Sequence, residues 1–460
     1  MPFSLTNLNP DPDIGASAWW LEIDGRHLLL DAGIHPKREG RAGLPLFSRM
    51  IHHDLDAIAI SHCHHDHVGA LPVALRHFPH AHVYMTGLSY LLVERVLHNS
   101  VNVMQRQRDA LGIPDYPLYT HEQVDDYAAV FQGVRYNREI DWAGFRRQHA
   151  DSRFPSLEFL DAGHALGSAG VMVRGRHASV FYSGDVCFHD QTLLRAAQFD
   201  DVKADVLVME STRGARELPA GFSRESEAER LCEAIRAVQA RKGCVLIPAF
   251  ALGRTQEVLA LLALMQRDGR LRRQTVYIGG LGRVFTEIYD LEAHRASRHH
   301  SNLRLTEALD VQVLSREDAQ RLKLSGGKIF VLTSGMMNEN TVANDIALRL
   351  FADERHGILF VGYTDPETPG GRLRMSQPGR PFAFALEGLP VTRRCQVAEF
   401  DLTAHANRDD LVELVGRVSP KTLVLGHGDA AARQWIASEV KRRMPRLRVV
   451  QPDPGGNVLL

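Results

Sequence analysis

The sequence lacks a long hydrophobic run. Apolar residues make up 44% of the 460 residues but occur only in short stretches, whereas a membrane-spanning helix requires about 20 consecutive, mostly apolar residues. The first residues also lack the basic start and apolar stretch of a secretory signal. We therefore expect no membrane association and a cytoplasmic location for this chain.

Cysteine is scarce as well. The 5 cysteines are odd in number, and no two of them have Cys-x-x-Cys spacing. This pattern predicts neither a disulfide framework nor a cysteine-based zinc site. We expect most of these residues to be buried free thiols.

An excess of charge of one sign is also missing, because 54 Lys+Arg oppose 55 Asp+Glu and leave a net charge of -1. A nucleic-acid-binding protein without a general positive field must concentrate its basic groups in one groove. Composition alone therefore does not favour nucleic-acid binding. Histidine is the informative residue type, since many of the 23 histidines cluster in short motifs.

A chain of this length is expected to form two or three domains. In the first part, Trp19–Ile23 and Arg26–Leu30 flank Asp24-Gly25, which is a typical two-residue hairpin turn between apolar strands. Residues 88–157 are more polar and are predicted to be mostly helical.

Within that helical region, Thr120 and Gln123 form a capping box that opens a predicted helix through Phe131. From Ser223 onwards strands and helices alternate, which predicts a parallel α/β sheet. After about residue 390 single strands again lead into histidine-bearing turns, such as Cys395–Phe400 before His405. The simplest organisation is an α/β domain split by an inserted α/β domain.

Four candidate metal donors, His62, His64, Asp66 and His67, lie within six residues after a predicted buried strand. A loop at the end of a strand holds side chains rigidly and leaves them open to a ligand. Imidazole and carboxylate donors without thiolate favour zinc, with manganese as the second choice. The alternative is a solvated histidine-rich loop with adventitious metal affinity.

Further donors, His164, Asp185 and His427, also follow predicted strands, which argues against that alternative. Together with the histidine cluster they complete two sites. We assign His62, His64 and His164 to one metal ion, Asp66, His67 and His427 to the other, and Asp185 to a bridge between them.

These motifs resemble those of metallo-β-lactamase-fold hydrolases, and specifically those of their β-CASP nuclease branch. The general motifs are matched by His-x-His-x-Asp-His at 62–67, by His164 and Asp185, and by Asp31 as the first, structural aspartate. The branch-specific motifs are matched by Glu210, His405 and His427, and three phrases resemble the inserted domain, at 247–254, 333–336 and 360–363. The resemblance extends from about residue 15 to the C-terminus.

The resemblance implies an α/β fold in which a metallo-β-lactamase αββα sandwich carries an inserted parallel α/β β-CASP domain. The expected bounds are 1–208 for the N-terminal part of the metallo-β-lactamase domain, 209–390 for the inserted β-CASP domain, and 391–460 for the C-terminal part. A two-zinc ribonuclease that processes or degrades RNA is the implied function, with single-stranded RNA bound in the cleft between the domains. The oligomeric state is not decided by the sequence, and a homodimer is one possibility.

His405 is the candidate general acid, with Glu210 orienting it, and Asp66 is counted as catalytic as well as metal-binding. From spacing alone, His405 is as readily a core histidine and Glu210 a salt-bridge partner. Ser334 and Arg372 are the expected substrate-binding residues. Histidine at position 427 favours RNA, because DNA-repair members of the family tend to carry an apolar residue there.

Three segments depart from the family pattern, at 279–282, 337–340 and 363–372, and all are expected to line the nucleic-acid cleft. The alternatives are therefore a hydrolase of the same fold that acts on DNA or on a small ester or thioester, and a non-catalytic RNA-binding scaffold. The inserted domain argues against the small substrate, and the complete donor set argues against the scaffold.

Overall fold

A computed structural model of the chain describes residues 3–142, 155–384 and 390–460. The chain divides into two compact units. The first unit comprises Met1–Asp190, Arg195–Glu217 and His405–Leu460, and the second comprises Gln191–Leu194 and Leu218–Ala404. Among the described residues, no helix has both the length and the apolar character that crossing a membrane requires.

The first unit contains two seven-stranded sheets. In the order of their pairing, the strands of one sheet are Asn457–Leu459, Ser4–Asn7, Trp19–Ile23, Arg26–Leu30, Ala57–Ala59, His82–Thr86 and Phe131–Val134. Those of the other are Arg448–Val450, Thr422–Leu425, Val206–Met209, Ser179–Tyr182, Ala169–Arg174, Ser156–Asp161 and Ile140–Asp141.

Each of these sheets combines an antiparallel part with a parallel part. In the second sheet, Ser179–Tyr182, Val206–Met209 and Thr422–Leu425 pair in parallel. In the first sheet, Arg26–Leu30 pairs in parallel with Ala57–Ala59. Because parallel neighbours end at the same edge of a sheet, the residues that follow these strands are brought together there.

The sheets of the first unit pack against each other through a shared apolar core, to which Leu21 and Leu28 contribute from one sheet and Phe159 and Val208 from the other. Helices Arg408–Val418 and Ala430–Arg443 bury their apolar residues on the outer face of the second sheet. The other helices of this unit are His65–Val68, Leu71–His77, Gly87–Leu111 and His121–Ala128, and its 3-10 helices are Gly40–Gly43 and Phe47–Arg49.

The second unit contains a six-stranded parallel sheet. In pairing order its strands are Val311–Val313, Val276–Ile278, Ile329–Leu332, Val245–Pro248, Gly357–Phe360 and Gln396–Glu399. Its helices are Arg224–Ala240, Arg254–Arg267, Gly280–Leu291, Leu305–Ala308, Arg316–Arg321, Val342–Leu350 and Pro369–Met375. The short strands Pro381–Phe382 and Val391–Thr392 pair antiparallel. The central strands are buried along their whole length, as strands of a parallel sheet covered on both faces are.

This architecture confirms the predicted fold class, an αββα sandwich with an inserted parallel α/β domain. The hairpin prediction is also confirmed, because Ile23 pairs with Arg26 and both turn residues, Asp24 and Gly25, have positive φ angles of 53° and 73°. Such angles are typical of the type I′ turn that asparagine, aspartate and glycine favour. All 5 cysteines are buried and free, as expected.

The helical prediction for residues 88–157 is wrong in part. The capping box at Thr120 is present, but its helix ends at Ala128, and Phe131–Val134 is a strand. Ser156–Asp161 is also a strand, while residues 143–154 lie outside the described part of the chain. The strand Phe131–Val134 gains its backbone partners from His82–Thr86, a non-local pairing that a local polarity pattern does not contain.

The strand before His405 belongs to the sheet of the second unit. Gln396–Glu399 pairs in parallel with Gly357–Phe360 and so completes that sheet, whereas the sequence pattern groups it with the C-terminal segment. Backbone pairing decides the membership of a strand, whereas its proximity in sequence to His405 does not. The bounds at 209 and 391 stay predictions.

Candidate metal centre

The candidate donors lie where strands of the first unit end. The loop from Ser61 to His67 follows Ala57–Ala59, and its last residues form the short helix His65–Val68. Asp185 follows Ser179–Tyr182, and His427 follows Thr422–Leu425. Side chains that are distant in sequence therefore meet at one place in this unit.

The first group of donors consists of His62, His64, His164 and Asp185, whose ligand atoms lie within 4.8 Å of one another. Nδ1 of His64 lies 3.1 Å from Nε2 of His62 and 3.1 Å from Nε2 of His164. Oδ2 of Asp185 lies 3.6 Å and 3.7 Å from the same two Nε2 atoms. This convergence of imidazole nitrogens on a carboxylate oxygen is suited to a single cation.

The second group consists of Asp66, His67 and His427. Nε2 of His427 lies 3.3 Å from Oδ2 of Asp66 and 3.3 Å from Nε2 of His67. The other oxygen of Asp185, Oδ1, lies 3.4 Å from Nε2 of His67 and accepts no hydrogen bond from the described residues. Asp185 thus directs one oxygen to each group, as a bridge requires. The assignment of all seven residues as ligands stays a prediction.

Asp31 is not in either donor group but hydrogen-bonds to residues of the donor loop. Its carboxylate is fully buried and accepts hydrogen bonds from the backbone N and Oγ of Ser61 at 2.6 and 2.7 Å, and from the hydroxyl of Tyr182 at 2.6 Å. Nδ1 of His67 lies 2.7 Å from the same carboxylate. Because the Asp31 carboxylate accepts a hydrogen bond from the proton-bearing Nδ1 of His67, the neutral imidazole presents the lone pair of Nε2 to the other donors.

Ser61 and Tyr182 are supporting residues that the sequence patterns did not predict. Ser61 directly precedes the histidine motif, so its position was a usable signal. No local signal marks Tyr182, which reaches Asp31 from the other sheet. Cys63 and His65 turn away from the donors, as expected, because the thiol donates to the carbonyl of Ser89 and the imidazole binds Ser100.

Burial and neighbouring charges shift the pKa values of the side chains in this centre. Burial holds the pKa of His62 well below its ordinary value, with nearby His67 adding to the effect. Burial also disfavours the charged form of His67, but the carboxylates of Asp185 and Asp31 outweigh it and raise the pKa of that imidazole well above its ordinary value. Burial similarly opposes ionisation of Asp185, yet His427 and His67 hold its pKa well below the usual range.

A histidine–glutamate pair lies beside these groups. Nδ1 of His405 lies 3.1 Å from Oε2 of Glu210, and Oε1 of Glu210 accepts a hydrogen bond from the backbone N of Val186 at 2.6 Å. The ring of His405 lies 4.6 Å from that of His164, centroid to centroid. Burial lowers the pKa of His405, but the charge of Glu210 outweighs it, so the net shift is upward.

The two predicted substrate-binding residues lie in the second unit. Oγ of Ser334 accepts a hydrogen bond from the backbone N of Asn338 at 3.2 Å. The guanidinium of Arg372 donates to the carbonyl of Phe384 at 2.9 Å, a contact that stabilises its own unit. Their roles towards substrate stay predictions.

The donor set fits divalent zinc. It offers imidazole nitrogens and carboxylate oxygens without thiolate, with Asp31 available to orient a histidine ligand. Oδ1 of Asp185 also lies 3.2 Å from Nδ1 of His427, so this oxygen faces histidines of the second donor group. These residues therefore form a candidate metal-binding site.

Three protein families match parts of the chain. The Beta-Casp domain matches residues 255–373, and the Zn-dependent metallo-hydrolase RNA specificity domain matches residues 390–450. The Anti-Pycsar protein Apyc1 family matches residues 16–210. The matched segments thus fall in both units and include all seven candidate donors as well as Glu210 and His405.

Several curated proteins resemble most of the chain. The endoribonuclease YSH1 of Eremothecium gossypii is 25% identical over 440 residues, which cover 93% of this chain and 55% of that protein. Cleavage and polyadenylation specificity factor subunit 3 of Dictyostelium discoideum is 25% identical over 477 residues, covering 99% of this chain and 57% of that protein. This chain therefore spans only about half the length of these relatives.

A relative of similar size and a solved structure complete the comparison. The probable RNase MJ4 of Methanocaldococcus jannaschii is 26% identical over 427 residues, which cover 91% of each protein. A crystal structure of a protein of unknown function from Enterococcus faecalis matches with a TM-score of 0.57 at 14% identity and covers 100% of both chains. That likeness concerns the fold alone.

Replacement of Asp31 by asparagine is expected to weaken metal binding by about 10–100-fold, because the amide no longer fixes the Nδ1–H tautomer of His67. Asparagine tolerates the positive φ of 61° at this position. Metal retained per chain after dialysis against a graded chelator series measures the effect.

Asp205→Asn is the matched control, since Asp205 binds the backbone N and Oγ of Ser179 as Asp31 binds those of Ser61, but does not belong to the donor groups. Equal metal retention in both variants would contradict the orienting role of Asp31.

Metal removal is expected to destabilise the protein, because the ion binds the folded donors and not the unfolded chain. Free zinc at about 100 to 1,000 times its dissociation constant should add roughly 3–4 kcal/mol to the free energy of unfolding. Thermal unfolding with chelator and after addition of zinc in excess measures this difference. Coincident unfolding curves would argue against a folded metal site.

Proposed function

Because the chain belongs to the β-CASP branch of the metallo-β-lactamase fold, we propose that it is a metal-dependent ribonuclease that hydrolyses phosphodiester bonds of single-stranded RNA. The observation that carries the proposal is the pair of His405 and Glu210 beside Asp185, with ligand atoms within 4.8 Å of one another. A proton donor next to two metal-donor groups is what cleavage of an alkyl phosphodiester requires.

The seven donors would hold two zinc ions, with manganese as the alternative metal. His62, His64 and His164 would bind one ion, Asp66, His67 and His427 the other, and Asp185 both. Two such ions would supply an activated water and stabilise the negative charge that develops on the phosphoryl oxygens. The protein residues keep the donors in place and exclude bulk water, since the donors are largely buried.

His405 would act as the general acid. Hydrolysis forms a new P–O bond from water and breaks the bond to the leaving oxygen, which is a poor leaving group unless it receives a proton. The Glu210 carboxylate holds Nδ1 of His405 and favours the protonated imidazole, which then donates that proton. The products are a terminal phosphate on one fragment and a hydroxyl on the other.

The names of the matching families and relatives favour RNA over the other candidate substrates. One matching family is described as an RNA specificity domain, and the relatives include proteins named as endoribonucleases and as a probable RNase. The His405–Glu210 pair disfavours a thioester, because a thiolate leaving group departs without such an acid. The proposal also includes two finer points, that the RNA is single-stranded and that the protein can form a homodimer.

The proposal predicts that zinc-loaded protein cleaves RNA but not DNA of the same sequence. His405→Ala should lower the cleavage rate by about 10²–10⁴-fold, because the leaving oxygen is no longer protonated, while the metal content is retained. Substrates labelled at either end, in single-stranded and duplex form, report the nucleic acid, the strandedness and the cleavage mode in gel assays.

His98→Ala is the control for this variant, because His98 lies in the first unit and pairs with His121, outside the donor groups. It should cleave at the wild-type rate. Wild-type activity of His405→Ala would refute the acid role, and turnover of a thioester without RNA cleavage would favour the small-substrate alternative.

A further inference from the structure

The backbone just before His405 is bound by charged side chains of the second unit. The backbone N of Asp401 donates to Oε2 of Glu227 at 2.8 Å. The guanidinium of Arg254 donates to the carbonyl of Leu402, and that of Arg224 donates to the carbonyl of Thr403 at 2.8 Å. Three consecutive residues, 401–403, are thus held through their main chain, and His405 follows two residues later.

The side chains that hold this segment come from the first turns of two helices. Arg224 and Glu227 lie three residues apart on Arg224–Ala240, and Arg254 and Glu257 lie three residues apart on Arg254–Arg267. Residues at this spacing lie on the same face of a helix. Each helix therefore presents one arginine and one glutamate, and we call these four residues the clamp.

Two members of the clamp contact each other across the two helices. Nη2 of Arg224 lies 3.3 Å from Oε2 of Glu257, which joins the two helices. Glu257 also accepts hydrogen bonds from the backbone N of Thr192 at 2.8 Å and of Leu193 at 2.7 Å. The side chains of Arg224 and Glu257 are only 12% and 3% exposed.

Stability alone is a poor reason for such a network. Burying charged side chains costs desolvation free energy that their mutual attraction often fails to offset, and well-packed apolar residues frequently stabilise a protein as much. Backbone carbonyls in a surface loop can also bind water instead of arginine. Buried hydrogen bonds from charged side chains do, however, define the geometry of the groups that they bind, here the main chain of residues 401–403.

The chain is also held directly after His405. The backbone N of Ala406 donates to the carbonyl of Val186 at 2.6 Å, and Val186 in turn donates its own backbone N to Glu210. Only Ala404 separates His405 from the segment that the clamp holds. The clamp therefore binds the main chain up to two residues before His405.

We propose that Arg224 is a positioning residue for the general acid His405, with Arg254 and Glu227 assisting it. By holding the carbonyl of Thr403, Arg224 fixes the backbone from which the His405 side chain reaches Glu210. This inference rests on the proposed function, because it concerns the acid step of phosphodiester cleavage. A small displacement of a catalytic group is enough to slow the reaction on the order of 10–100-fold.

The test compares two substrates that differ in their need for an acid. RNA has an alkoxide leaving group that requires a proton, whereas bis(p-nitrophenyl) phosphate releases p-nitrophenolate, which leaves without one. Zinc-loaded Arg224→Ala should lose on the order of 10–100-fold in kcat on RNA, with little change in KM, and should keep its activity on the aryl ester. Its metal content and thermal unfolding are measured alongside.

Two further variants separate positioning from general damage. Arg349→Ala removes another arginine of the second unit that binds backbone carbonyls, those of Ala319 and Leu322, and should leave the ratio of the two activities unchanged. Arg224→Lys retains one charged donor for the Thr403 carbonyl but not the second contact with Glu257, so it should restore part of the RNA cleavage.

The double variant Arg224→Ala, His405→Ala decides whether the two residues act together. If Arg224 acts through His405, the double variant should cleave RNA no more slowly than His405→Ala alone. Additive losses, or an equal loss on both substrates in Arg224→Ala, would overturn the positioning role. Failure of His405→Ala itself to discriminate between the substrates would instead overturn the proposed acid step.

Discussion

A buried carboxylate, that of Asp31, connects the strand ends on which the centre is built. It follows the strand Arg26–Leu30 and binds Ser61 at the end of the neighbouring strand, His67 in the donor loop and Tyr182 in the other sheet. A fully buried charge is costly unless its hydrogen-bonding capacity is met. Asp31 therefore constrains the backbone of the donor loop, the tautomer of His67 and the packing of the two sheets of the first unit together.

The remaining donors depend on that arrangement. The three parallel strands of the second sheet that end at Tyr182, Met209 and Leu425 lead to Asp185, Glu210 and His427. Asp185 faces the histidines of both donor groups, and Glu210 binds the backbone next to it as well as His405. The candidate centre thus combines largely buried metal-donor side chains with a histidine that is bound to a carboxylate.

The segment 218–404 of the second unit lies in sequence between Glu210 and His405. The residues that precede Glu210 and those that precede His405 therefore differ in secondary structure. Glu210 directly follows a central strand, Val206–Met209, whereas His405 follows a segment without regular secondary structure, Phe400–Ala404. The clamp supplies that segment with the hydrogen bonds that a sheet or a helix would otherwise provide.

Local sequence patterns predicted the donors because each follows a short apolar strand, and they predicted the alternation of strands and helices in the second unit. They did not predict Phe131–Val134 or the membership of Gln396–Glu399, since both depend on pairing with strands distant in sequence. The same limit applies to the partners of functional residues. Tyr182 lies 151 residues from Asp31, and Thr403 lies 179 residues from Arg224, so neither contact leaves a local signature.

The central claim is that two metal ions and a histidine acid cleave RNA in the first unit. Titration of metal-free protein with zinc, with the initial rate of RNA cleavage as the readout, tests it most directly. The account predicts that the rate rises until two equivalents of zinc are bound per chain and then stays constant. Saturation at one equivalent, or cleavage that does not depend on zinc, would contradict it.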